Sequence, residues 1–131
     1  FKTYLDIGEE NQLPVFVPKE VAVHFDKSFP KPENVVIVEN MYMALPNLEF
    51  KDWSEYYVNV IENLKPGLNE IIVHLGYDDK EMQQITIEHP NYGSKWRNLD
   101  MYVVSSERFK QAIEKNNIKL VTWREIQKVI Y

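Results

Sequence analysis

Asn69-Glu70-Ile71-Ile72-Val73-His74-Leu75-Gly76-Tyr77 is the stretch on which the fold of this chain turns. Lys65-Pro66-Gly67 supplies a turn before it, and an acidic, polar segment opens at Asp78. Ile71-Ile72-Val73 is β-branched and does not alternate apolar with polar residues. That composition fits a strand covered on both faces, as in a parallel sheet flanked by helices. In such sheets ligands bind at the carboxyl ends of the strands, and His74 falls where this strand is expected to end. Any chemistry of the chain is expected there.

Working outward towards the start, Trp53, Tyr57, Val60, Ile61 and Leu64 recur at helical spacing, with Asp52 or Ser54 available as cap and Pro66-Gly67 as stop. Val35-Val36-Ile37-Val38 is a second β-branched run, again expected to be buried on both faces. Residues 18–34 hold three prolines and no clear period, which predicts a long loop of the kind that serves as a binding loop or lid. His24, Phe25 and Phe29 lie within it. Residues 13–18 have the composition of a short strand bracketed by prolines, and residues 1–10 that of a helix.

Towards the end, a short helix is expected from Asp78 to about Ile85, followed by a polar loop over residues 88–93 and a helix over 94–101. Ser105 or Ser106 can cap a further helix bearing Phe109, Ala112 and Ile113, which ends near Asn116-Asn117. Residues 118–123 are expected as the last strand, and Thr122 as the cap of a final helix to Tyr131. The resulting order, α-β-loop-β-α-β-α-α-β-α, predicts an α/β fold of mainly parallel strands flanked by helices. Four strands are too few to close a barrel. Phe1 also enters a helical pattern without a methionine, a cap or a leader, so residues 1–131 are expected to be a single domain that is part of something longer, such as a fragment of a (β/α) barrel.

Composition narrows the function classes. The chain has 131 residues, enough for one domain, with 44% hydrophobic and 27% charged residues, so a disordered chain is not expected. The net charge of −5 and the lack of a lysine or arginine cluster argue against nucleic acid as partner. With no cysteine there are no disulfides, thiolate metal sites or cysteine nucleophiles, which fits a reducing cytoplasm. No run is apolar enough to span a bilayer, and no membrane partner is expected.

Of the three histidines, His24, His74 and His89, none stands in an H-x-H, H-x3-H or H-E-x-x-H arrangement, so no complete metal site is expected within the chain. Calcium-loop spacing, a glycine-rich phosphate cradle and a G-x-S-x-G elbow are also missing. His74 is the candidate general acid or base; the competing reading is a histidine packed beneath the following loop. Asp78, Asp79 and Glu81 either orient that imidazole or bind sugar hydroxyls, or else cap and solvate a first helical turn. His89, Tyr92, Trp96 and Arg97 form a second group. Aromatic rings stack on the apolar faces of sugars and Arg97 can hold a carboxylate or a hydroxyl, whereas the plainer reading makes Trp96 a core anchor and His89-Pro90 a turn.

The run from Lys65-Pro66-Gly67 through Glu70 to His74-Leu75-Gly76-Tyr77-Asp78-Asp79 resembles the late motif of the YdjC-like carbohydrate deacetylases, the ChbG/HpnK group. There a Pro-Gly-x-x-Glu-hydrophobic stretch leads into a strand ending His-Pro-Gly or a close variant; here Leu75 replaces the proline. His89-Pro90-Asn91-Tyr92-Gly93-Ser94-Lys95-Trp96-Arg97 resembles the His-Pro-x-Tyr-Gly-x-x-Trp-Arg segment of a bacterial subgroup. The tail from Ser105 to Glu125 and residues 1–18 are similar to other parts of the second half of the family's domain. The resemblance implies the second half of a distorted (β/α) barrel in a polysaccharide or oligosaccharide deacetylase, a hydrolase of N-acetyl groups on amino sugars. It also implies a divalent metal, zinc or magnesium, whose ligands lie in motifs outside this chain, so this fragment alone is expected to be inactive. His74 matches the late-motif histidine, with a general-acid role on the departing amine. His89, Tyr92, Trp96 and Arg97 would shape the sugar site. Two other readings stand beside it: a non-catalytic sugar-binding or interaction domain from an inactive relative, and an α/β hydrolase of a different ester or amide. A half-barrel exposes apolar edges, so self-association as a homodimer is expected.

Overall fold

The computed structural model describes residues 1–26 and 30–131. It is a mixed α/β chain in which four short strands form two small parallel two-strand sheets. The chain divides into two units, one comprising Phe1–Met41, Pro66–Glu70 and Lys119–Tyr131, the other Tyr42–Lys65 and Ile71–Ile118.

In the first unit, helix α1 (Lys2–Glu10) turns Leu5 inward, and strand β1 (Val15–Pro18) pairs in parallel with β2 (Val35–Val38), from Val15 opposite Val35 to Pro18 opposite Val38. Leu5, Val15, Val17 and Val35 form the buried cluster. The period-2 inward face of β1 supplies two of them, as strand geometry requires. Helix and strand come together at Gly8, where an added Cβ would lie 2.1 Å from Val15 Cγ2. Gly8→Ala is therefore expected to destabilise the protein by about 1–3 kcal/mol despite the better helix propensity of alanine. A urea midpoint at or above that of wild type would contradict this packing.

Within the predicted 18–34 loop, Lys19–Ala22 form helix α2. Phe25, expected in a lid, packs against the buried cluster, and its ring centroid lies 6.0 Å from that of Phe1. His24 is exposed, and Phe29 lies outside the described residues. The expected strand over residues 118–123 is not formed. Leu120 is 73% exposed, and this extended segment has no strand beside it among the described residues. β-Propensity is expressed only where a pleated surface is there to receive it. The closing helix α7 (Trp123–Ile130) begins with Thr122 as cap, as expected, and the cap is a capping box: Thr122 accepts from Glu125 N while Glu125 accepts from Thr122 N. Hydrogen bonds from the Thr122 backbone and hydroxyl hold the Glu125 carboxyl below its ordinary pKa. The helix meets the rest of its unit through an edge contact between Trp123 and Phe16 and through Gln127 Nε2, which donates to Gln12 O at 2.6 Å.

One strand was not expected. Chain beyond β2 is interrupted only at Glu39 and continues as β3 (Asn40–Met43), paired with β4 (Asn69–Ile72). Glu39 N donates to Leu68 O at 2.8 Å, and Asn40 Nδ2 to Asn69 Oδ1 at 2.8 Å. β3 has no β-branched residue and opens on asparagine, which strands disfavour, so its pairing with β4 rather than a β-branched run marks it as a strand. β4 ends two residues before His74 and is half-buried along its length, not fully covered on both faces as its composition predicted.

The second unit is mainly helical. A 3₁₀ turn (Phe50–Asp52) leads into α3 (Trp53–Glu62), and α4 (Lys80–Ile85), α5 (Ser94–Ser105) and α6 (Glu107–Lys115) follow. The predicted face of α3 is the buried one: Trp53, Tyr57, Val60 and Ile61 all point inward. Trp96 and Val103 of α5 and Phe109 and Ala112 of α6 complete the core. Trp53 and Trp96 meet edge to face with centroids 4.7 Å apart, an orientation favoured by the ring quadrupoles. Ser106 caps α6 by accepting from Phe109 N. Among the described residues no helix is long and apolar enough to cross a membrane.

Candidate functional site

The site is built around a buried carboxylate. On α5, Trp96, Asp100 and Val103 fall at i, i+4 and i+7, one inward stripe, so Asp100 occupies a core position and is 0% exposed. A buried charge is costly unless donors surround it. Here Oδ1 accepts from Trp53 Nε1 at 2.7 Å and from the Tyr57 hydroxyl at 2.8 Å, and Oδ2 accepts from the His74 backbone N–H at 2.8 Å. Burial, reinforced by the hydrogen bond to Asp100, pushes the Tyr57 phenol well above its ordinary pKa. Tyr57 therefore stays a donor across the neutral range.

The same carboxylate faces the imidazole. His74 Nδ1 lies 3.8 Å from Asp100 Oδ2, just beyond hydrogen-bond reach, and is buried with no other partner among the described residues. A carboxylate opposite Nδ1 favours the tautomer with the proton on that nitrogen, which leaves Nε2 to exchange a proton with a ligand. The His74 side chain is 28% exposed, so the imidazole is open to solvent on part of its surface. Asp78, Asp79 and Glu81, the carboxylates the sequence offered, do other work. Asp79 caps α4 by accepting from Met82 N at 2.9 Å, and Glu81 is an exposed residue of the first turn of α4. Hydrogen bonds from Gln83 and Ser94 draw the Asp78 carboxyl below its ordinary pKa.

His74, Tyr92 and Trp96 form a stack: the centroid of Tyr92 lies 4.8 Å from His74 and 4.5 Å from Trp96. Tyr92 adopts φ 63°, a left-handed conformation that costs a bulky residue on the order of 1–3 kcal/mol and persists only when its surroundings impose it. The two flanking rings do so, together with Arg97 Nε, which donates to Tyr92 O at 2.8 Å. Trp96 is buried in the core, as the plainer reading held, with its Nε1 unpaired. It backs Tyr92 and offers no face to a ligand.

Beyond Tyr92 opens a cleft of about 400 Å³ lined by Met82, Ile85, Thr86, His89, Asn91, Tyr92 and Arg97. Its volume lies within the range of small-molecule sites. The Thr86 hydroxyl is already engaged, donating to Met82 O and accepting from Ser94 N. Gly76 joins the late strand's loop to this cleft: a Cβ there would meet Met82 Cε at 3.1 Å and Arg97 Cβ at 3.3 Å. Three of the four sequence-derived binding residues, His89, Tyr92 and Arg97, thus line one cleft, and His74 touches it through the Tyr92 ring. Asp100, Trp53 and Tyr57 were missed. The signal was present in the register of Asp100 with Trp96 and Val103, and in two donor-bearing aromatics one turn apart on α3.

Among the described residues no three histidine, aspartate or glutamate side chains converge as a metal-binding group, and both oxygens of Asp100 are occupied by donors. The divalent metal that the family resemblance implies was expected to have its ligands outside this chain. No protein-family model matches the chain, and no curated protein matches it.

Proposed function

We propose that this chain is the C-terminal portion of a metal-dependent carbohydrate deacetylase, the second half of a distorted (β/α) barrel, in which His74 donates the proton to the departing amine. The reading rests on the resemblance of residues 65–79 and 89–97 to the YdjC-like family. The observation that supports it is the placement of His74, its backbone and Nδ1 edge held against buried Asp100 and its ring against Tyr92 beside a sugar-sized cleft. Water adds to the acetyl carbonyl and the proton it loses passes to His74 Nε2; the carbon–nitrogen bond then breaks and the amine leaves with that proton, giving acetate and a free amino sugar. Asp100 acts through His74, holding the loop by its backbone N–H and favouring the productive tautomer. Tyr92 presents its ring to the sugar, and Arg97 and His89 supply polar contacts. The metal's ligands lie in other parts of the family's domain, and the roles given to these residues are proton transfer and substrate positioning. The test is incubation of the intact protein with N-acetylated chitooligosaccharides and divalent metal. Equal amounts of acetate and free amine are expected, and the absence of both refutes the reading.

A second reading, a non-catalytic sugar-binding module, is favoured by the cleft itself, whose lining does not include His74. It requires binding without acetate release. A cytoplasmic setting fits the cysteine-free chain. Exposed Leu120, Trp123, Val129 and Tyr131 support the expected homodimer. Light scattering that returns a monomer at high concentration contradicts it.

A further inference from the structure

Arg97 is held in place and has no ion pair among the described residues. Its Nε is spent on the Tyr92 carbonyl, and its stem runs over Gly76, where a Cβ would come within 3.3 Å of Arg97 Cβ and 3.5 Å of Cδ. The planar guanidinium is therefore held at both its base and its stem. Its two terminal amino groups have no protein acceptor among the described residues, and none of the ion pairs there includes Arg97. Asp78, on the loop that follows Gly76, is engaged by Gln83 and Ser94 and does not compete. In a chain of net charge −5, the cleft lining thus includes an arginine with no ion pair among the described residues. Beside it, Met82, Ile85 and Tyr92 give an apolar lining suited to the face of a sugar ring, and Asn91 and His89 add polar groups. With Nε already bound, the two terminal amino groups match the two oxygens of a carboxylate end-on.

We propose that this cleft selects a carboxylate-bearing sugar, an N-acetylated saccharide with a uronic acid unit, whose carboxylate is held by the terminal amino groups of Arg97. The inference rests on the carbohydrate reading above and names the substrate class of the same site. Titration calorimetry compares the disaccharide of glucuronate and N-acetylglucosamine with neutral N,N′-diacetylchitobiose, so binding is read without hydrolysis. The acidic disaccharide is expected to bind about tenfold more tightly, the gain of one charge-assisted pair. Arg97→Gln is expected to abolish the preference and Arg97→Lys to restore part of it, with near-ultraviolet circular dichroism verifying that the packing of Trp53 and Trp96 is intact. Equal binding of the two sugars, or a preference that survives Arg97→Gln, overturns the inference while leaving the carbohydrate reading in place. Binding of neither overturns both.

Discussion

Asp100→Ala is expected to lower the stability of the protein by about 3–5 kcal/mol, the largest loss of any single substitution considered for this chain. Removing the carboxylate orphans three donors at once: the indole N–H of Trp53, the hydroxyl of Tyr57 and the backbone N–H of His74. Each buried donor left without a partner costs about 1–3 kcal/mol, and the vacated volume adds to the loss. Asp100→Asn is the gentler probe. Its amide presents one acceptor and one donor where the site holds donors on both sides, so a donor must face either His74 N–H or the Trp53 and Tyr57 pair. About 2–3 kcal/mol is expected for this variant. Urea unfolding followed by tryptophan fluorescence measures both. A loss below about 1 kcal/mol for Asp100→Ala would mean that water replaces the carboxylate at no cost, and the site would not be rigid.

His74→Gln is expected to leave the fold intact and to lower acetate release by about 10²–10⁴-fold, the usual contribution of a positioned acid or base. The two effects separate because His74 supports the structure through its backbone N–H, which the substitution keeps, whereas the proposed proton transfer needs the imidazole. Glutamine fills a similar space against Tyr92 but transfers no proton near neutral pH. Asp100→Asn, where it folds, is expected to lower the rate less than His74→Gln, since it disturbs the orientation of the acid without deleting it. A variant that unfolds when only the imidazole is removed would show that the ring itself, packed on Tyr92, is structural.

Helices were the legible part of this chain, because their signals are local. The stripe of Trp53, Tyr57, Val60 and Ile61, the Ser106 cap and the Thr122 cap each specify structure within a turn or two, and each formed as the sequence indicated. Strands depend on partners far along the chain. Residues 118–123 are as β-branched as a strand requires, yet have no strand beside them among the described residues, while Asn40–Met43 carry no β-branched residue and pair with β4. Of the candidate site, His74 was singled out by its position after an apolar run, and His89, Tyr92 and Arg97 by their residue types. Asp100 looked like one more charge on a helix until its register placed it inside. The pairing of Asp100 with Trp53 and Tyr57 spans more than 40 positions and is fixed only by packing of α3 against α5.

The measurement that tests the account most directly is the rate of acetate release from an N-acetylated oligosaccharide by the intact protein with divalent metal supplied, wild type against His74→Gln. The account predicts release by wild type and a fall of at least about 10²-fold in a variant whose unfolding midpoint is unchanged. Equal rates in the two proteins, or no release from either, would contradict it.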